Sequence, residues 1–213
     1  TIVKILTGIY QPDQGQINFN GSSLVGLRPD QIAARGLART FQNIRLFPNL
    51  TVLENIMIGE HARLATGPIG AVLGTPRARA EEEGAEKRAV DLATLFGNRL
   101  RPRLGQIVGG LSYANRRRVE IARALASKPR ILLLDEPTAG MNPAETLELA
   151  EQIKSLHELG LTILLIEHKL DVVTRLADNV VVLDYGEKIA EGRPDVVRRD
   201  EEVLRAYLGR AAT

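Results

Sequence analysis

Two aliphatic runs, ILLL at 131–134 and LTILLI at 161–166, constrain the fold more than any other feature of the chain. Neither alternates with polar residues; the first reads as a strand buried on both faces, the kind found in parallel sheets covered by helices, and the second as a further strand. The stretch between them opens on Asn142-Pro143 and closes at Gly160, which predicts a helix with a proline in its first turn and a glycine at its end. Strand, helix and strand in that order form a βαβ unit, so the two strands are expected to be parallel and joined by a right-handed crossover.

The flanking segments extend this α/β reading. The stretch beginning TIVKILTGI has apolar residues at 2, 5, 6 and 9 and reads as the end of a helix closed by Gly8. GQINFNGSSL alternates Ile17 and Phe19 around an Asn20-Gly21 turn, a hairpin signal. Thr51 with Glu54 forms a capping box, and Ala89, Leu92, Ala93 and Phe96 recur at helical spacing. Residues 51–127 therefore read as a mainly helical lobe inserted into an α/β core made of 1–50 and 128–213. Near the end, a strand over Val180–Leu183 turns at Tyr185-Gly186 into KIAEG, and an amphipathic helix is predicted from Asp195 to Leu208.

With 213 residues, 44% of them hydrophobic, the chain can bury a substantial core. The 28 basic and 26 acidic residues leave a net charge of +2, too balanced for a general nucleic-acid binder, and no nucleic-acid partner is expected. The triplet Arg116–Arg118 reads accordingly as a solvated helix face. No cysteine and three scattered histidines offer neither a disulfide framework nor zinc spacing, which fits a reducing, cytosolic setting. The apolar runs fall far short of the roughly 20 residues that cross a bilayer.

Chemistry concentrates at the carboxyl ends of the two strands, where open parallel sheets bind ligands. Asp135 and Glu136 follow the first, and Glu167 and His168 follow the second. Adjacent carboxylates at the end of a buried strand need a cation, a substrate or a catalytic task. Ser112 is placed to cap a helix carrying Val119, Ala122 and Leu125 inward; a serine at a helix N-terminus is an ordinary cap or a phosphate-binding arrangement. A hydrolase reading also exists. GLSYA nearly matches the nucleophile-elbow motif, and Ser112, Asp135 and His168 follow in hydrolase order, although that reading leaves Glu136 and Gln42 unused and needs a strand before the serine.

In combination the motifs resemble the ATP-binding cassette ATPases, the nucleotide-hydrolysing subunits of membrane transporters. ILLLDEP is similar to their Walker B strand, LSYANRRRVEIARAL to their signature helix, LLIEH to the switch-histidine strand, TFQN at 40–43 to the glutamine loop, and AGMNP at 139–143 to the loop that crosses a dimer interface. The text RTFQNIRLFPNLTVLENIMIGEH, the LSYANRRRVEIAR helix and the ending AYLG look most like the ATPase of branched-chain amino-acid importers. Lipopolysaccharide-export ATPases share RRRVEIARAL and YLG.

The resemblance implies a P-loop NTPase-like core with a parallel sheet, an antiparallel hairpin element and an α-helical insertion. It implies ATP and Mg²⁺ as cofactors. Asp135 and Gln42 would serve Mg²⁺, Glu136 would polarise the attacking water, and His168 would contact the γ-phosphate and orient Glu136 and the water. Ser112, the backbone at Ala114, and Asn142 would meet nucleotide across a dimer. Ala114 departs from the glycine usual at its position, and its methyl group is expected to crowd the phosphate and lower activity. The glycine-lysine Walker A loop does not occur in the 213 residues. Thr1 aligns just after that loop's hydroxyl residue, so this polypeptide alone is expected to bind Mg-ATP poorly, and a docking-only role stays open. The partners implied are transmembrane permease subunits, a second ATPase subunit and, indirectly, an external solute-binding protein, with the chain at the cytoplasmic face of the membrane.

Overall fold

Residues 2–60 and 75–211 are described in a computed structural model. Strand β4 (Ile131–Asp135) lies between β3 (Leu37–Arg39) and β5 (Thr162–Ile166) and runs parallel to both. Leu132 and Leu134 enter one apolar cluster and Leu133 enters another on the opposite face, all three 1% exposed or less. Successive strand side chains alternate between faces, so a strand covered on both sides is aliphatic throughout. Burying each leucine contributes about 1.5–3 kcal/mol. The register sets Asp135 opposite Ile166, so β4 and β5 end level at one sheet edge.

The expected crossover helix, α6, forms over Pro143–Glu158. Its N-cap is Asn142, whose side chain accepts from the Glu145 backbone while the Glu145 carboxylate accepts from Asn142 N. Gly160, at φ 93°, turns the chain back into β5.

One face of the sheet is covered by the N-terminal segment. Helix α1 (Ile2–Leu6), the hairpin β1 (Asn18–Phe19) and β2 (Ser22–Ser23), and α2 (Pro29–Ala34) contribute Val3, Leu24 and Ile32 to the cluster around Leu133. Gly8 is held at φ 71°, and a Cβ there would stand 2.7 Å from Leu27 O, so a side chain is doubly disfavoured.

The other face packs on helices α3 (Val52–Ile58), α4 (Pro76–Thr94) and α5 (Tyr113–Ala126). The predicted capping box opens α3, with Thr51 Oγ1 accepting from Glu54 N and Glu54 Oε2 accepting from Thr51 N. Val52, Ile56, Ala89, Phe96, Val119 and Ala122 share one cluster with Leu132, Leu149 and Ile153, so helices and sheet bury a common core. Gly59 lets α3 lie against α5: a Cβ there would fall 2.0 Å from Arg123 O.

Beyond β5, helix α7 (Leu170–Leu176) leads to an antiparallel pair, β6 (Val180–Asp184) and β7 (Glu187–Gly192), turned as predicted at Tyr185 and Gly186 with φ of 48° and 93°.

Two expectations are corrected. The C-terminal helix is broken into Pro194–Val197 and Glu201–Ala211. Asp200 makes the break, because its Oδ1 accepts from both Glu202 N and Val203 N and caps a new helix. The arginine triplet is not a solvated face either. Arg117 is 0% and Arg118 1% exposed, each drawn inward by polar partners: Arg117 donates to Phe41 O and to Glu120, and Arg118 donates to Gln152.

Candidate active site

The site is built where β4 ends. Glu136 takes the left-handed conformation, φ 45°, which costs a non-glycine residue about 1–2 kcal/mol. The turn is held because Glu136 N donates to Ile166 O across the strand ends at 2.9 Å. This swings the Glu136 carboxylate toward the 40–45 loop, where Gln42 Nε2 lies 3.4 Å from Glu136 Oε2. Backbone strain next to a paired acid is a mark of a working site.

Asp135 has a cationic neighbour. Arg39 Nη2 meets Asp135 Oδ2 at 3.1 Å, Nη1 donates to Thr7 Oγ1 at 3.2 Å, and the guanidinium stacks 5.0 Å from the Phe41 ring centre. Gln42, Asp135 and Glu136, predicted separately from sequence, are thus brought together.

At the end of β5 the structure places His168 with Nδ1 3.4 Å from Glu167 Oε1 and a 65% exposed side chain, open to a ligand. Glu167 itself is covered and accepts the Thr138 hydroxyl at 2.7 Å.

Ser112 caps α5 as predicted, its Oγ accepting from Asn115 N. The segment before it is a 3-10 turn over Val108–Gly110. A nucleophile elbow requires a strand there, so the hydrolase reading loses its geometry. Ala114 lies inside the helix, 3% exposed, with its methyl group in the main apolar cluster. The expected crowding of a phosphate by that methyl group has no basis in this arrangement. Gly140, at φ 72° in the AGMNP loop, approaches Tyr113: a Cβ on it would be 3.7 Å from the ring. The signature turn and the loop ending in Asn142 are therefore neighbours. Thr1 lies outside the described residues.

Sequence reasoning missed the groups that hold the glutamine loop. Arg117 donates to Phe41 O at 2.6 Å and Gln42 O at 2.8 Å, while Glu120 Oε1 accepts from Phe41 N and Arg45 N. A signal was available, since Arg117 and Glu120 are spaced i, i+3 and Arg118 stands four residues before inward Ala122.

Comparison with known proteins places this geometry. The ABC transporter family profile matches residues 1–139, and a profile described as branched-chain amino acid ATP-binding cassette transporter matches 187–213. The chain is 41% identical to the high-affinity branched-chain amino acid transport ATP-binding protein BraF of Pseudomonas aeruginosa, covering 99% of this chain and 82% of that protein. It is equally identical, at 41%, to LivG of Salmonella typhimurium, over the same shares. Among solved structures, the ADP conformation of an ATP-binding cassette of an ABC transporter superimposes with a TM-score of 0.81 at 30% identity, over 98% of this chain and 82% of that one. A nucleotide-free cassette from an ABC transporter gives 0.79 at 30% identity, over 97% and 81%. With its glutamine loop, capped signature helix and acid pair in that order on that fold, the chain belongs to the ATP-binding cassette ATPases of ABC transporters, among the branched-chain amino acid transport ATP-binding proteins.

Proposed function

We propose that this chain serves in the ATP-binding and ATP-hydrolysing subunit of an importer of branched-chain or related amino acids, with Mg²⁺ as the metal cofactor. The Walker A loop that cradles the phosphates is not among its 213 residues, so binding and turnover are assigned to the subunit that also carries that loop. The observation that carries the catalytic part is the convergence of Gln42, Asp135 and Glu136 at one sheet edge. Phosphoryl transfer needs positioning and charge stabilisation more than covalent chemistry, so a sparse polar set suffices.

Glu136 is assigned the attacking water, whose proton its carboxylate takes up as hydrolysis proceeds. Asp135 and Gln42 are the metal-side residues. Both offer hard oxygen donors, and among the described residues no group of three or more His, Cys, Asp or Glu gathers into a cage. That donor set fits Mg²⁺, which is ordinarily held by one or two carboxylates plus water and substrate phosphates. When bound, the ion supplies neutralising charge to the phosphates. His168 is assigned a γ-phosphate contact, supported by its exposure at the same edge. Ser112 with the backbone at Ala114, and Asn142, are assigned to nucleotide held by a second ATPase subunit; Thr1 is assigned to this subunit's own nucleotide. Residues 51–127 then form the signature lobe, and 1–50 with 128–213 the nucleotide core.

No helix among the described residues is long and apolar enough to cross a membrane. We assign the chain to the cytoplasmic face, docked on transmembrane permease subunits that receive substrate from an external solute-binding protein. Phe47, just after the clamped glutamine loop, and Ile107, bridged to Thr51, are each 49% exposed and support a docking surface there. The names of the relatives favour amino-acid import over lipopolysaccharide export.

The test is reconstitution of the ATPase with its permease and solute-binding protein. Glu136→Gln is expected to leave Mg-ATP binding intact while lowering ATP turnover and leucine uptake by about 10²-fold or more. Undiminished turnover in that variant, or uptake that ignores branched-chain amino acids, would sink the reading.

A further inference from the structure

Glu167 is a buried carboxylate that the reaction as described does not use. Its side chain is 0% exposed, and no guanidinium or ammonium group is paired with it in the described contacts. Instead it is satisfied by neutral donors from two segments. Oε2 accepts the Thr138 hydroxyl at 2.7 Å. Oε1 accepts the backbone N–H of His168 at 3.0 Å and of Lys169 at 3.3 Å, and lies 3.4 Å from His168 Nδ1. Lys169 continues the link, donating from Nζ to Thr138 O at 3.0 Å and reaching Thr146 Oγ1 at 3.4 Å.

A buried carboxylate is costly unless hydrogen bonds satisfy both oxygens, and Glu167 spends that capacity on joining two loops. One is the turn carrying His168. The other runs from Glu136 through Thr138 to Asn142. We propose that Glu167 is a positioning residue: it locks the histidine turn to the loop after β4, so that His168, Glu136 and Asn142 are set as one unit. The proposal rests on the ATPase reading of the site given above.

An amide offers one acceptor oxygen where the carboxylate has two: turned to Thr138 it sets its NH₂ against the N–H groups of His168 and Lys169, and turned to those groups it meets them without the charge that strengthens the bonds. Glu167→Gln should therefore release the histidine turn without emptying the site. In the reconstituted transporter, Glu167→Gln is expected to lower kcat for ATP at least tenfold while KM changes less than twofold. Thr138→Val, which removes the other anchor, should lower kcat similarly, Thr138→Ser should restore it, and the double variant Glu167→Gln/Thr138→Val should be no slower than the worse single one. Thermal unfolding of each variant gives the folded fraction, and kcat is expressed per folded molecule. A kcat within twofold of the parent in Glu167→Gln, while Glu136→Gln abolishes turnover, overturns the proposal. So does a loss wholly explained by unfolded protein, or one that Thr138→Ser does not rescue. Full turnover in Glu136→Gln overturns the underlying ATPase assignment, and the role of Glu167 with it.

Discussion

Arg117 and Glu120, one helical turn apart on α5, meet at 2.7 Å with side chains 0% and 1% exposed. Between them they satisfy four backbone groups of the 41–45 loop: the carbonyls of Phe41 and Gln42 and the N–H groups of Phe41 and Arg45. That loop lies outside regular structure, and those of its backbone groups that turn inward onto α5 need partners there. The ion pair supplies the missing partners. The helix that Ser112 caps is thus the same one that holds Gln42 beside Glu136.

Removing one member of such a pair leaves the other charge buried and uncompensated, at a cost of about 3–5 kcal/mol. Arg117→Met and Glu120→Leu are each expected to lower stability by that amount in urea titrations. The double variant should recover part of the loss, because two apolar side chains of similar size pack without a stranded charge. Stability can return without the clasp, so hydrogen exchange at the Phe41 and Arg45 amides should stay fast in the double variant. Single variants costing under about 1 kcal/mol would show that the loop is held by something else.

Much of this arrangement is legible in the sequence for identifiable reasons. The run ILLLD announces a central strand because burial on both faces removes every polar position, and the two carboxylates that follow stand out against it. Asn142-Pro143 and Thr51 with Glu54 announce helix starts because capping is local chemistry, and each cap forms as read. Arg117 is different. Charge alone argues for the surface, and its burial depends on carbonyls some 75 residues away in sequence that close around it only in the folded chain. The break at Asp200 was hidden by the same logic in reverse, since an aspartate within a helical period reads as a solvated position until its carboxylate turns back on the next two amides.

Ala114 yields a prediction opposite to the one its motif suggests. With its methyl group in the core and its backbone helical, the residue needs neither positive φ nor extra room. Ala114→Gly should cost about 1 kcal/mol through lost helix propensity and a small packing defect. ATP turnover of the reconstituted transporter should not rise. A faster enzyme with unchanged stability would show that the methyl group does obstruct the nucleotide.

Glu148 links the signature helix to the helix after β4, and its effect should depend on pH. Its carboxyl is held below the usual carboxylate value of 4.5, first by the hydrogen bond from Arg99 Nε at 2.7 Å and further by the charge of Arg118. Arg118 is in turn pushed down from its ordinary value, because burial disfavours its charge. A carboxyl with a lower pKa folded than unfolded releases its proton more readily in the folded state, so the unfolded chain binds more protons as pH falls. The stability it contributes is fully present above about pH 4.5 and is lost below it. Glu148→Gln should therefore be less stable than the parent at pH 7, with the gap closing progressively as titrations move below pH 4.5 and the parent carboxyl takes up its proton. Because the Glu148 side chain is 34% exposed, added salt should shrink the neutral-pH gap as well. A gap that stays constant with both pH and salt would mean that Glu148 contributes through packing and not through charge.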